Sequence, residues 1–595
     1  MLFAELSRYL EKLEQTASRL QMTAQLAELF AQLNPTEVQQ VSYLLQGKVV
    51  PAYQSLEFQL SDKMLIRSLA RLLPAQDQSA SLFGDVDTNH QEKLVTAEVR
   101  ACGDVGTAAE KLLSHILTKS SLTVTEVFER LSAIAQDGGE GSQDRKVAAV
   151  AGLFSQLDAL CVRYVSRIII GTLRLGFSTM TILDALSWTR TGGKSEASLL
   201  EEAYQRRADV GALAREYLSH TDSVERIQAL SQYTGECGVP IVPQLCQRLN
   251  STQEMIEKMH EVYAEPKYDG LRVQIHCQRK NGVELLRVFT RNLEDATHMF
   301  PELSALLKII SAEEFVIDGE AIGYDPQTGA LRSFQETITR KRKHNVAEAS
   351  EKVPLKFFIF DVLLLNQRSL LFNSLRERKE ILDNLFIDTE QIIKTSFLIT
   401  KTPEELQKFH EEQLALGLEG MVVKAIDSPY QSGRKGWYWV KMKEVEGSRG
   451  KLTDTIDCIV MGYFAGKGQR SSFGAGTFLL GVLGSDEKIY TVSKVGSGLT
   501  EQSLTVIKEK CDELQTTQKP LTYEVAKALI PHVWVEPGIV VEVAADELTH
   551  SPVHTAGLAL RFPRVIKIRE DKKPVDATTI VELKQMLELQ EHSGQ

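Results

Sequence analysis

The sequence predicts a multidomain chain with an all-α N-terminal region, a mixed α+β domain in the middle and a small β-barrel at its C-terminal end. Three observations carry this. Up to about residue 230, apolar residues recur at helical spacing between helix-start signals. Short β-rich runs then alternate with helical stretches as far as about residue 446. Beyond Asp454, strand-like runs are joined by glycine-rich turns.

In the first region, Phe3, Leu6, Leu10 and Leu13 share one face of a 3.6-residue period. "LNPTEV" supplies an Asn34 N-cap, Pro35 at the first helical position and Glu37 to complete a capping box. "AQDQSASLFGDVDTNH" (75–90) and "QDGGEGSQDR" (136–145) read as loops within it. "TGECGVPIVPQL" (234–245), with two glycines and two prolines, marks a domain boundary.

In the middle domain "LRVQIHCQ", "ELLRVFTR", "EFVIDGEAIGY", "KFFIFDVLLL" and "GMVVKA" are strands, and "PEELQKFHEEQLALG" is a helix. "EVEGSRGKLTD" (444–454) has two glycines and no apolar anchor between Val445 and Leu452, which suits a hinge. After it, "DTIDCIVMGYFAG", "GTFLLGVLG", "KIYTVSKVG" and "GIVVEVAADEL" are strands, with one helix around 500–514.

At 595 residues the chain has room for about three or four domains of ~100–200 residues each. With 43% hydrophobic and 25% charged residues it reads as soluble globular protein. No stretch approaches the ~20 apolar residues of a membrane span, and "MLFAELSRYLEKLEQ" reads as an amphipathic helix rather than a signal peptide. A cytoplasmic protein is expected. The seven cysteines are scattered without a CxxC pair, so they are expected to be reduced and structural. The net charge of −11 does not exclude a polyanionic partner, because screening limits charge effects to about 8 Å at physiological salt. Basic stretches stand at 339–344 ("TRKRKH"), 433–443 ("GRKGWYWVKMK") and 561–573, the last with six Lys or Arg against two acids.

"EPKYDGLR" (265–272) raises the question of chemistry. Lys267 is either a solvated lysine before an Asp-Gly turn or a nucleophile. An attacking lysine must be neutral, which from an ordinary pKa near 10.4 costs roughly 4–5 kcal/mol at pH 7. Arg272 in the following strand and a bound divalent metal can both lower that cost. Glu320 in "VIDGE" and Glu419 in "LEGMVVK" read as carboxylates at strand ends, suited to holding Mg²⁺ on phosphate oxygens. Lys441 and Lys443 alternate along "WVKMK" and point the same way. Singly, each of these has an ordinary structural reading.

The ordered series "KYDGLR", "TRNLEDAT", "FVIDGE", "FFIFDVLLL", "LEGMVVK", "WYWVKMK" and "RFPRVIKIRED" resembles the motif set of ATP-dependent DNA ligases, within the covalent nucleotidyltransferase superfamily. "RYVSRIIIGTLRLGFSTMTILDALS" (163–187) is similar to the helical DNA-binding domain of the archaeal and eukaryotic replicative type. The resemblance implies a helical DNA-binding domain at 1–233, an adenylation domain at 234–446 and an OB-fold β-barrel at 447–595. It implies a ligase that seals nicks in duplex DNA during replication, repair and recombination. Lys267 would attack the α-phosphate of ATP, AMP would pass to the 5′-phosphate of the nick, and the 3′-hydroxyl would displace it, with Mg²⁺ as cofactor.

By the same resemblance, Glu265 sits beside the adenine amine, and Arg272 and Arg291 near the ribose and phosphates. Glu320 serves the ribose or metal, Phe360 stacks on the base and Glu419 helps place metal. Lys441 and Lys443 contact the α-phosphate, while Arg561 and Arg564 orient the pyrophosphate. Where the family usually has an arginine six residues before the first lysine of "WVKMK", this chain has Lys435 with Arg434 beside it, and either is a candidate for the nucleotide.

RNA ligation and messenger-RNA capping are the alternatives within the superfamily, and the large helical region argues against both. An NAD-dependent ligase would carry a cysteine zinc module. A non-catalytic DNA-binding scaffold would not need "KYDG" and its charged partners intact. Expected partners are nicked duplex DNA, with a monomeric protein associated with the nucleoid. A sliding clamp is a further candidate through "QSASLF" (78–83), although the poor spacing reads as an ordinary loop. No side chain decides whether ADP, GTP or NAD can replace ATP.

Overall fold

The computed structural model describes the chain apart from residues 17, 75–87, 118–119, 281, 341–351, 434, 444–454, 466–473 and 593–595. The clamp-peptide candidate at 78–83, the hinge candidate at 444–454, Arg434 and most of "TRKRKH" therefore lie outside the described residues.

The N-terminal region is helical because its apolar stripes close on one another. Helix Phe3–Glu14 buries Phe3, Leu6, Leu10 and Leu13, and these join a single core that runs through to Tyr233. Helix Pro35–Leu44 starts as expected: the Asn34 side chain accepts from the amides of Thr36 and Glu37, and the Glu37 carboxylate accepts from the Asn34 amide. The helices that follow the two expected loops begin earlier than the sequence suggested. Thr88 already opens helix Thr88–Cys102, and Ser142 opens helix Ser142–Phe154, where Asp144 complements the positive end of the helix dipole.

The chain packs as two units, Met1–Met442 and Lys443–Gln595. The helical and α+β regions share the first. Between them the backbone around the expected 234–245 boundary is neither helix nor strand, and it is anchored where the Val242 amide donates to the Gln205 carbonyl at 2.9 Å. Tyr53 also meets Phe289 edge-on at 6.1 Å.

Among the described residues the α+β region is built on two sheets. A six-stranded sheet contains, in spatial order, Val283–Thr290, Leu271–Lys280, Glu314–Gly323 and Leu355–Leu365, each antiparallel to the next. A five-stranded sheet contains Val262–Pro266, Gly420–Ala425 and Trp439–Lys443. One correction follows. Glu320 lies inside its strand, not at the end, so its position is fixed by ladder bonds on both sides.

The second unit is β-rich, with its core at Ile456, Cys458, Val460, Phe478, Leu480 and Val541. Among the described residues its eight-stranded sheet is mostly antiparallel, and the pairing does not close on itself. A separate two-stranded ribbon pairs Glu547–His550 with Leu558–Arg561, and helix Ile580–His592 follows.

Candidate active site

Strand alternation builds the site from two half-apolar sheets. In the five-stranded sheet Val262, Ala264, Met421, Val423, Val440 and Met442 enter one core with Met255, Met259 and Leu406 of the covering helices. Their alternates, Glu265, Val422, Lys424, Trp439 and Lys441, therefore take the other face, with Lys267 just past the strand end and Lys443 on the same side as Lys441. In the six-stranded sheet Val273, Ile275, Ile317, Ala321, Phe357 and Ile359 are core, which leaves Arg272, Gln274, Asp318, Glu320 and Phe358 opposite, with Arg272, Glu320 and Phe358 side by side in register.

The two polar faces meet. Arg272 donates to Asp318 at 2.7 Å and to the Tyr430 hydroxyl at 3.1 Å, and Tyr430 donates to Asp318 at 2.8 Å. The Lys424 ammonium stands 4.5 Å from the Phe360 ring centre and 4.2 Å from that of Trp439, a cation–π arrangement. Burial pushes the Cys246 thiol up while Arg272, Lys424, Lys267 and Lys441 pull it down, so these four cations converge on one region.

Lys267 is held by its backbone as well as its side chain. Its amide donates to the Gly420 carbonyl at 2.9 Å, the Glu419 amide donates back to its carbonyl at 3.2 Å, and its ammonium pairs with the Glu419 carboxylate. Both side chains remain partly open, at 18% and 19% exposure, which an incoming ligand requires. Two glycines make the arrangement possible. Gly420 has φ 130°, and a Cβ on Gly270 would stand 2.6 Å from the Ala321 carbonyl oxygen.

Glu320 carries the clearest electrostatic signature. Burial raises its carboxyl; Lys267 and Arg272 pull it down, Asp269 and Glu419 push it up, and the balance leaves it at about 7. Glu320 and Glu419 thus share one field beside Lys267. Two carboxylates beside one lysine fit Mg²⁺, which takes one or two such ligands and completes its shell with water and substrate phosphates.

The structure brings together Lys267, Glu265, Arg272, Glu320, Phe360, Glu419 and Lys441. Arg291 stands exposed on the turn after Val283–Thr290. Lys435 pairs instead with Glu201 of the helical region at 3.1 Å. In the second unit Arg561 pairs with Glu547, and Arg564 with Asp546 at 3.3 Å. Sequence reasoning missed Lys424, Lys379, Asp318 and Tyr430. Lys424 was within reach, since it lies two residues after Val422 in "GMVVK" and so shares the Glu265 face.

Three family models match the chain: a DNA ligase N terminus over residues 2–187, an ATP dependent DNA ligase domain over 243–443 and an ATP dependent DNA ligase C terminal region over 471–572. A probable DNA ligase of Dictyoglomus turgidum is 39% identical, covering 98% of this chain and 97% of its own length. A DNA ligase of Staphylothermus marinus is 35% identical, covering 99% of both. The chain belongs to the ATP-dependent DNA ligase family. A solved structure described as "Pmar-Lig_Pre." is 15% identical over 95% of this chain and 99% of that one, with a TM-score of 0.52, a likeness of fold. The ligase seals breaks in DNA by forming phosphodiester bonds, with ATP as its nucleotide and Mg²⁺ as the usual metal of the family. Among its described residues no helix is long and apolar enough to cross a membrane.

Proposed function

We propose that Lys267 is the residue the ligase adenylates. Its Nζ attacks the α-phosphorus of ATP, an N–P bond forms as the bond to pyrophosphate breaks, and AMP then passes to the 5′-phosphate of a nick for displacement by the 3′-hydroxyl. The observation that carries this reading is the partly exposed Lys267–Glu419 pair at the end of the sheet face that carries Glu265, Lys424 and Lys441. Such chemistry needs positioning and charge neutralisation more than a general base. Arg272, braced by Asp318 and Tyr430, supplies fixed positive charge, and Phe360 offers a ring face to the base. Glu320 and Glu419 hold Mg²⁺, which when bound neutralises phosphate charge.

The helical region 1–233 grips the duplex across the break. Residues 447–595 act as an OB-fold whose Arg561 and Arg564 orient pyrophosphate. The protein works as a monomer.

Incubation with labelled ATP and Mg²⁺ tests the central assignment. Wild type acquires an acid-labile AMP adduct; Lys267→Ala and Lys267→Arg do not, the latter because guanidinium stays protonated. An adduct that persists in Lys267→Ala places the nucleophile elsewhere.

A further inference from the structure

Glu265 is buried on the site face of its strand with a lysine on each side. Lys379 of helix Leu375–Leu385 pairs with Oε1 and Lys424 pairs with Oε2. All three side chains are 2–3% exposed. The two lysines are not equivalent. Lys424 lies along the same sheet, against the rings of Phe360 and Trp439, and so forms part of the cleft wall. Lys379 comes from a helix packed on the other sheet, and its ammonium lies 5.8 Å from the ring centres of both Tyr263 and Phe397. Its hydrogen bond into the site goes to Glu265.

A carboxylate has about four lone-pair sites and no proton to donate when ionised. With one oxygen fixed by Lys379 and the other by Lys424, the remaining lone pairs point in set directions. A base presenting an amine there is accepted, and one presenting a carbonyl is refused. We propose that Lys379 is a positioning residue for base selection: by fixing Glu265 it makes the ligase demand the exocyclic amine of adenine. This rests on the proposed place of Glu265 beside that amine.

The test compares adenylation of the full-length ligase by ATP with that by purine riboside triphosphate, which lacks only the amine, and by GTP. Wild type should prefer ATP over both through KM. In Lys379→Met that preference should shrink by roughly tenfold or more, the worth of a charge-assisted hydrogen bond, while the rate at saturating purine analogue stays close to wild type. Lys379→Arg should restore the preference. Should the Met variant not fold, Lys379→Gln, which can keep a neutral donor but loses the charge, should shrink the preference in the same direction by a smaller factor. Equal losses with all three nucleotides, leaving the preference intact, would make Lys379 merely structural and overturn the proposal. If wild type itself ignores the amine while Lys267→Ala still abolishes labelling, the role of Glu265 falls and takes this proposal with it, but the nucleophile assignment stands.

Discussion

Tyr430 shows at the residue scale how the site is held. Its hydroxyl donates to Asp318 and accepts from Arg272 at 3.1 Å and from the Gln244 amide at 3.0 Å, so one oxygen serves three buried groups. Tyr430→Phe keeps the ring against Trp439, 5.8 Å away, and removes only those bonds. It should destabilise the Met1–Met442 unit by roughly 1–3 kcal/mol in denaturant, because the Gln244 amide is left unpaired. It should also raise the KM for ATP, since Arg272 loses one of its two side-chain braces. An unchanged KM would mean that Asp318 and the Gln244 carbonyl suffice to orient the arginine. At this scale the sequence was readable for residues that motifs single out and silent on those supporting them. Glu265, Lys267 and Glu419 stand in short signatures. Lys379 stands 112 residues beyond Lys267 in "LRERKEILDNL", where a buried lysine looks the same as a solvated one.

Helices and strands were legible wherever one face is buried and the other is not. Leu271–Lys280 lies close to its expected position because apolar and polar residues alternate along it, and Gly420–Ala425 because Met421, Val422 and Val423 form a short β-branched-rich apolar run. Val262–Pro266, which delivers Lys267, went unnoticed because it is only five residues long, ends in proline and carries an acid, Glu265, that reads as a turn residue. Helix-to-helix ties were equally invisible. Arg167 of helix Ala159–Ile170 donates from Nε and Nη2 to Asp104, at 2.9 and 2.7 Å, and from Nη1 to Glu14 at 2.7 Å, joining three helices. Burial raises the Asp104 carboxyl, but the Arg167 and Thr107 bonds outweigh it and leave it at about 2, below its ordinary 3.8. A depressed folded value stabilises the fold above the unfolded value and ceases to as pH falls through the folded one. Asp104 should therefore contribute on the order of 2 kcal/mol above pH ~4, lost between about pH 4 and 2. Asp104→Asn should flatten that limb of a stability-against-pH curve measured on the helical signal. Arg167→Met, which takes the close guanidinium from the buried Asp104 while Glu14 keeps Arg163 and Tyr164, should cost more, roughly 3–5 kcal/mol at neutral pH. An acid limb identical in Asp104→Asn and wild type would assign the loss to other groups.

Over the whole molecule, the division into two units separates Lys267 from Arg561 and Arg564 in the chain, and the proposed function gives the two sets of residues different moments of action. Pyrophosphate is present only while Lys267 attacks ATP. Once it leaves, the arginines have no ligand in the remaining steps. Replacing both with alanine removes the ion pairs to Glu547 and Asp546; the Asp546 pair is exposed and costs about 1 kcal/mol or less, and the more sheltered Glu547 pair lies on a two-stranded ribbon outside the main sheet, so the second unit should stay folded. Adenylation of Lys267 should fall by on the order of 100-fold or more, as expected when fixed charge aimed at a reacting phosphate is lost. Sealing of a nick whose 5′ end already carries AMP should proceed near the wild-type rate. The two assays must be run on the same preparation, with the unfolding transition of the second unit as control. If sealing of the pre-adenylated nick falls as far as adenylation does while that transition is unchanged, the arginines act on DNA rather than on pyrophosphate.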